Sequence, residues 1–151
     1  LRIRSCTLFA PAASVGLFET HYYPYLVSGP DAFGIDRMQL INLNNRLERD
    51  DTVGGVYRKS LLYLVSRAFE EQTPEAILGM QRHVDELLEK PKMDQVSDRF
   101  TVHYADGTPN EFTRSTTHGG FDNDVKTMNT LLKTILGTDP EHPFDQEALD
   151  Y

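Results

Sequence analysis

Apolar residues in this chain fall in short runs and in stripes of helical spacing. Residues 1–10 become apolar toward their carboxyl end and stop at Pro11, which predicts a strand. Residues 37–45 predict a second strand, centred on Leu40, Ile41 and Leu43. The clearest helix is predicted over 57–71. Tyr57, Leu61, Leu64, Val65 and Ala68 form its stripe, and Leu62 and Phe69 broaden it, so it should be well buried. Thr73 as cap and Pro74 at the first helical position open a further helical piece. Gly79 interrupts that piece; Met80, Val84, Leu87 and Leu88 carry it on to Lys90, and Pro91 ends it.

Residues 100–105 alternate as a strand, Asp106-Gly107 begins a turn, and residues 111–115 return, which predicts a hairpin. A last helix follows, with Val125, Met128, Leu132 and Ile135 at helical spacing and Leu131 widening the stripe. Asp122 or Asn123 can cap it, Asp124 puts charge in its first turn, and Gly137 suits a left-handed C-terminal cap. Strands alternating with long helices predict an α/β fold, a mostly parallel sheet with flanking helices. Residues 12–36 stand apart. They hold Phe18, Tyr22, Tyr23, Tyr25 and Phe33, broken by Pro24, Gly29, Pro30 and Gly34. So long an irregular connection suggests a lid or binding loop whose aromatics line an apolar pocket.

Composition narrows the picture. The chain has 151 residues, 39% hydrophobic and 25% charged, which suits one domain or part of one. Its net charge of −8 is spread along the sequence and argues against a nucleic-acid surface. No apolar run reaches the length of a membrane span, and no signal peptide is visible. The single cysteine, Cys6, reads as a small buried hydrophobe inside the first strand.

The candidate chemistry lies at two places. Three carboxylates, Glu48, Asp50 and Asp51, cluster just past the second strand. His118 follows the third strand on a loop with Gly119 and Gly120 directly behind it. A histidine between a strand and a helix is well placed for acid–base work, since its pKa lies near the working pH. His21 and His83 read as bystanders, and His103, in mid-strand, as a partnered structural residue.

Three features resemble the C-terminal half of an α/β-hydrolase. Arg49-Asp50-Asp51-Thr52-Val53 resembles the acid turn of that family, where an aspartate often stands three positions before a valine. Thr117-His118-Gly119-Gly120-Phe121 resembles its histidine loop, which the last helix follows. The insertion at 12–36 sits where the family often places its lid. The resemblance spans most of residues 1–136 and implies a serine esterase or lipase acting on a small-molecule or lipid ester, without a cofactor or a metal.

By that resemblance His118 is the base and Asp50 the acid that orients it, with Asp51 and Glu48 as alternates. The family's G-x-S-x-G elbow is absent from this chain. In the family's chain order the serine precedes the acid, so the resemblance implies a nucleophile upstream of Leu1. Residues 1–151 are then the C-terminal part of a single hydrolase-like domain. They supply two members of a Ser-His-Asp triad, depend on the N-terminal half of the same fold, and are inactive alone.

Other readings differ in what they need. A caspase-like peptidase needs a cysteine after the histidine, and none follows His118. A metal site could use His118, Asp122 and Asp124, although the two aspartates serve better as helix-start acids. A non-catalytic interaction domain on the same fold needs no nucleophile at all.

Overall fold

In a computed structural model, residues 2–31, 33–51, 60–68 and 74–149 are described. The architecture is α/β. Three parallel strands, β1 (Cys6–Phe9), β2 (Met38–Leu43) and β3 (Phe100–Ala105), stand side by side in sequence order. Cys6 pairs with Met38 and Phe9 with Ile41; on the other side Met38 pairs with Phe100 and Leu43 with Ala105. All six residues of β2 are buried, as expected of a central strand covered on both faces.

One face of β2 presents Met38 and Leu40. It packs on α1 (Val15–His21), α2 (Tyr23–Ser28) and α5 (Gln81–Leu88) through Val15, Phe18, Leu26, Val84 and Leu87. The other face presents Ile41 and Leu43, against Leu47 of α3 (Asn45–Asp50), Leu62 of α4 (Leu61–Ala68) and Phe121. Helix α6 (Val125–Leu136) follows Phe121 and reaches Gln39 of β2 through Thr134. Asn42 is fully buried, and its amide donates to the Leu78 carbonyl at 3.0 Å, tying the end of β2 to the approach to α5.

Residues 12–36 differ from the irregular lid expected of them. They form α1, α2 and a 3-10 turn, Gly29–Asp31. Ser14 caps α1 by accepting from the Leu17 amide, and Pro24 stands in the first turn of α2, where its missing N–H costs nothing. Phe18 and Leu26 are both fully buried, so the segment is a layer of the core. Tyr25 and Phe33 do lie on the surface, beside Ile3, His21, Tyr22 and Ile35, around a cavity of about 440 Å³. That cavity is at the amino-terminal end of β2, roughly 20 Å of strand away from the residues that follow its carboxyl end.

The expected hairpin is also absent, since no strand follows β3 among the described residues. Asn110 accepts from the Phe112 and Thr113 amides, which turns the segment off the ladder. The further helical piece expected from Pro74 starts only at Gln81; Thr73 lies outside the described residues.

Helix α4 buries Leu62 and Ser66, while Leu61 and Leu64 of the expected stripe are 49% and 45% exposed. Tyr57 and Phe69 of that stripe lie outside the described residues. In α6 the cap is Asp124, which accepts from the Lys126 and Thr127 amides, and Gly137 takes the left-handed C-terminal position at φ 75°. Truncating the buried leucine of α4, Leu62→Ala, should cost about 2–5 kcal/mol in denaturant unfolding. Leu64→Ala should cost about 1 kcal/mol or less, the reverse of the ranking that the predicted stripe implies.

Candidate acid–histidine site

The site is built at the carboxyl-terminal end of the sheet, where open α/β folds place their chemistry. Asn44 ends β2 and caps α3, its side chain accepting from the Leu47 amide. Helix α3 then turns Leu47 and Glu48 inward. Residues three apart on a helix share a face, so Asp51, just past the helix end, falls on the same side as Glu48. Asp50 is rotated away; it is exposed and pairs with Arg46 at 3.7 Å.

The second component arrives from β3 through a tied-down loop. The Thr127 hydroxyl of α6 and the Thr113 hydroxyl are hydrogen-bonded at 2.8 Å, and the Asp124 carboxylate accepts from the Arg114 amide at 2.7 Å. Burial would raise the Asp124 carboxyl, but the amides of Arg114 and Thr127 and the Thr127 hydroxyl hold it below the usual aspartate range. Asp124 is therefore a capping and loop-holding residue. His118 opens a 3-10 turn, His118–Gly120. Gly120 is required there by close approach, since a Cβ on it would come within 2.6 Å of the Ser115 hydroxyl. Gly119 has open space beside it. Phe121 is 2% exposed and stacks on Phe9 with ring centroids 5.8 Å apart, anchoring the loop to β1.

Loop and helix meet at His118. Its Nδ1 donates to Asp51 Oδ2 at 2.6 Å, and its main-chain N–H donates to the same oxygen at 2.9 Å. Its Nε2 lies 3.1 Å from Glu48 Oε2. Neither atom makes a hydrogen bond among the described residues, so this close contact is an ion pair only when the ring is protonated. The Glu48 side chain is 1% exposed, and its other oxygen accepts from the buried Ser60 hydroxyl.

Of the sequence-expected acids, the structure thus brings Asp51 and Glu48 to the ring and leaves Asp50 in solvent. The second ring nitrogen faces Glu48. Ser60, like the other serines of the chain, has no elbow in its local sequence, and its link to Glu48 appears only in the fold. His103 stacks on Phe112 at 3.5 Å, and burial lowers its pKa. His83, expected to be a solvated bystander, accepts from the Ile77 amide at 2.8 Å and so holds the loop before α5.

Burial alone would make His118 less basic, but the Glu48 and Asp51 carboxylates beside the ring outweigh it and raise its pKa. Among the described residues no group of three His, Cys, Asp or Glu side chains could hold a metal ion. No described helix is long and apolar enough to cross a membrane. No protein-family model matches the chain, and neither does any curated protein or solved structure.

Because the folded pKa of His118 is raised, its charge pairing should stabilise the fold fully below the unfolded value of about 6.5. That contribution should fade as pH rises through the folded pKa. The stability lost in His118→Ala, read by denaturant unfolding, should therefore be larger at pH 5.5 than at pH 9. Asp51→Asn should lower the NMR titration midpoint of His118, and Asp50→Asn should leave it in place.

Proposed function

We propose that this chain supplies the acid–histidine half of a serine hydrolase of the α/β-hydrolase type. In this reading His118 is the base and Asp51, in place of Asp50, is the acid that orients it. The observation that carries the proposal is the double grip of Asp51 Oδ2 on Nδ1 and on the main-chain N–H of His118. A carboxylate on Nδ1 fixes the tautomer whose Nε2 takes a proton from a nucleophile and stabilises the imidazolium that forms. The chain order supports the same reading: acid after β2, histidine after β3, on adjacent parallel strands.

The nucleophile would come from a segment outside these 151 residues, the N-terminal half of the same fold. Among the described residues no serine hydroxyl is hydrogen-bonded to His118, and Ser60, the one tied to its partner Glu48, is 1% exposed. The substrate class is a carboxylic ester, the usual target of an activated serine. The aromatic surface of 12–36 does not help to choose the ester, because it lies at the far end of the sheet.

A second reading, a non-catalytic interaction domain, is favoured by one observation. Both ring nitrogens of His118 already face carboxylates, as in a structural tie between α3 and the histidine loop. Labelling of the natural full-length protein with a fluorophosphonate probe separates the two. The hydrolase reading expects one serine to be labelled, with labelling reduced about 10³–10⁴-fold in Asp51→Asn and unchanged in Asp50→Asn. Folded protein that takes up no label, or takes it up equally in Asp51→Asn, supports the tie instead.

A further inference from the structure

Glu48 has no place in the acid–base pair just described, yet it is the most deeply buried ionisable group at the site, 1% exposed on its side chain. Burying a carboxylate is costly unless it is paired. Here Oε1 takes the Ser60 hydroxyl and Oε2 takes the edge of the His118 ring at Nε2. The opposite ring nitrogen, Nδ1, donates its proton to Asp51.

If the ring were neutral in this arrangement, the Nε2 lone pair would sit 3.1 Å from a carboxylate oxygen in a buried contact. Two electron-rich atoms at that distance repel, and a proton on one of them, even one not aimed along the line between them, relieves that repulsion. Ser60 donates to the other oxygen of Glu48, and the Asp51 charge on the far side of the ring favours the imidazolium. The proton therefore belongs on Nε2. An imidazolium has no lone pair with which to take a proton from a nucleophile.

We propose that Glu48 regulates this site as a gate, occupying Nε2 of His118 and withholding the base until Glu48 swings aside or is neutralised. The proposal rests on the reading of His118 as a general base. On release, the Nε2 proton passes to water and the ring becomes the Nδ1–H tautomer held by Asp51, with its lone pair free.

Among the described residues, the charges acting on His118 are those of Glu48 and Asp51. On α3 itself, Arg49 turns back to the Asn45 carbonyl, and Arg46 is shared between Asp50 and the Asp106 carbonyl. Asp124, beyond the histidine loop, is occupied by the amides of Arg114 and Thr127.

The test needs no nucleophile, so its outcome is independent of whether a serine is ever labelled. Two variants of the chain, Glu48→Gln and Glu48→Ala, are first checked for folding by amide NMR spectra. In Glu48→Gln the NMR titration midpoint of His118 should fall by one unit or more, a tenfold loss of proton affinity. In Glu48→Ala the opened Nε2 should react with diethyl pyrocarbonate at pH 7 at least about fivefold faster than in the wild type. Peptide mapping distinguishes His118 from His21, His83, His103 and His142. Ser60→Ala keeps the carboxylate on Nε2 and should leave the ring slow to react. The gate is overturned if the Glu48→Gln midpoint matches the wild type, or if folded Glu48→Ala reacts no faster.

Discussion

A strand buried on both faces can present chemistry only at its ends, and β2 is such a strand. Its side chains are spent on two cores, Met38 and Leu40 toward α1, α2 and α5, and Ile41 and Leu43 toward Leu62 and Phe121. What remains for polar groups is the point where the chain leaves the sheet. There Asn44 caps α3 at once, so the helix starts in a fixed rotation relative to the strand. That rotation decides which acids face inward. The pairing of β3 beside β2 then brings the next outgoing segment to the same end of the sheet, where Phe121, Thr113 and Asp124 pin it and His118 meets the acids.

The electrostatics of the site follow from this packing. Glu48 is carried into a nearly dry position by Leu47 beside it, which is itself packed in the core. A buried carboxylate needs compensation, and removing one partner of such a pair costs about 3–5 kcal/mol because the other charge is then left unpaired. Asp51 is partly solvated, at 20% exposure, and its grip on two N–H groups of one residue gives direction more than stability. Glu48 and Asp51 thus act differently on the same ring: one compensates charge in the interior, the other fixes orientation at the rim.

Much of the frame was legible in the sequence. The apolar runs around Leu40 and Val102 are strands, and an acidic cluster after one and a histidine after the other do converge. The resemblance of 49–53 to an acid turn puts Asp50 first among the three acids; the helix over Asn45–Asp50, by its spacing of three, instead sets Glu48 and Asp51 on one side and leaves Asp50 in solvent with Arg46. The segment 12–36 was misread through its prolines and glycines, although Pro24 sits where a helix tolerates it and Phe18 and Leu26 are core residues. In α4 both Leu61–Leu64 and Leu62–Val65 offer apolar sides, and only the position of the sheet chooses between them. No local pattern could announce Ser60, whose role depends on a carboxylate twelve residues earlier.

The central claim is that Asp51 holds the Nδ1 proton of His118. A proton in a 2.6 Å contact with a carboxylate is deshielded and protected from exchange, so it is observable by one-dimensional proton NMR far downfield of the amides. The account predicts one such resonance, assigned to His118 Nδ1 by nitrogen-15 correlation, present in Asp50→Asn and lost in Asp51→Asn. A spectrum of folded protein without that resonance, or one in which it survives Asp51→Asn, would contradict the account.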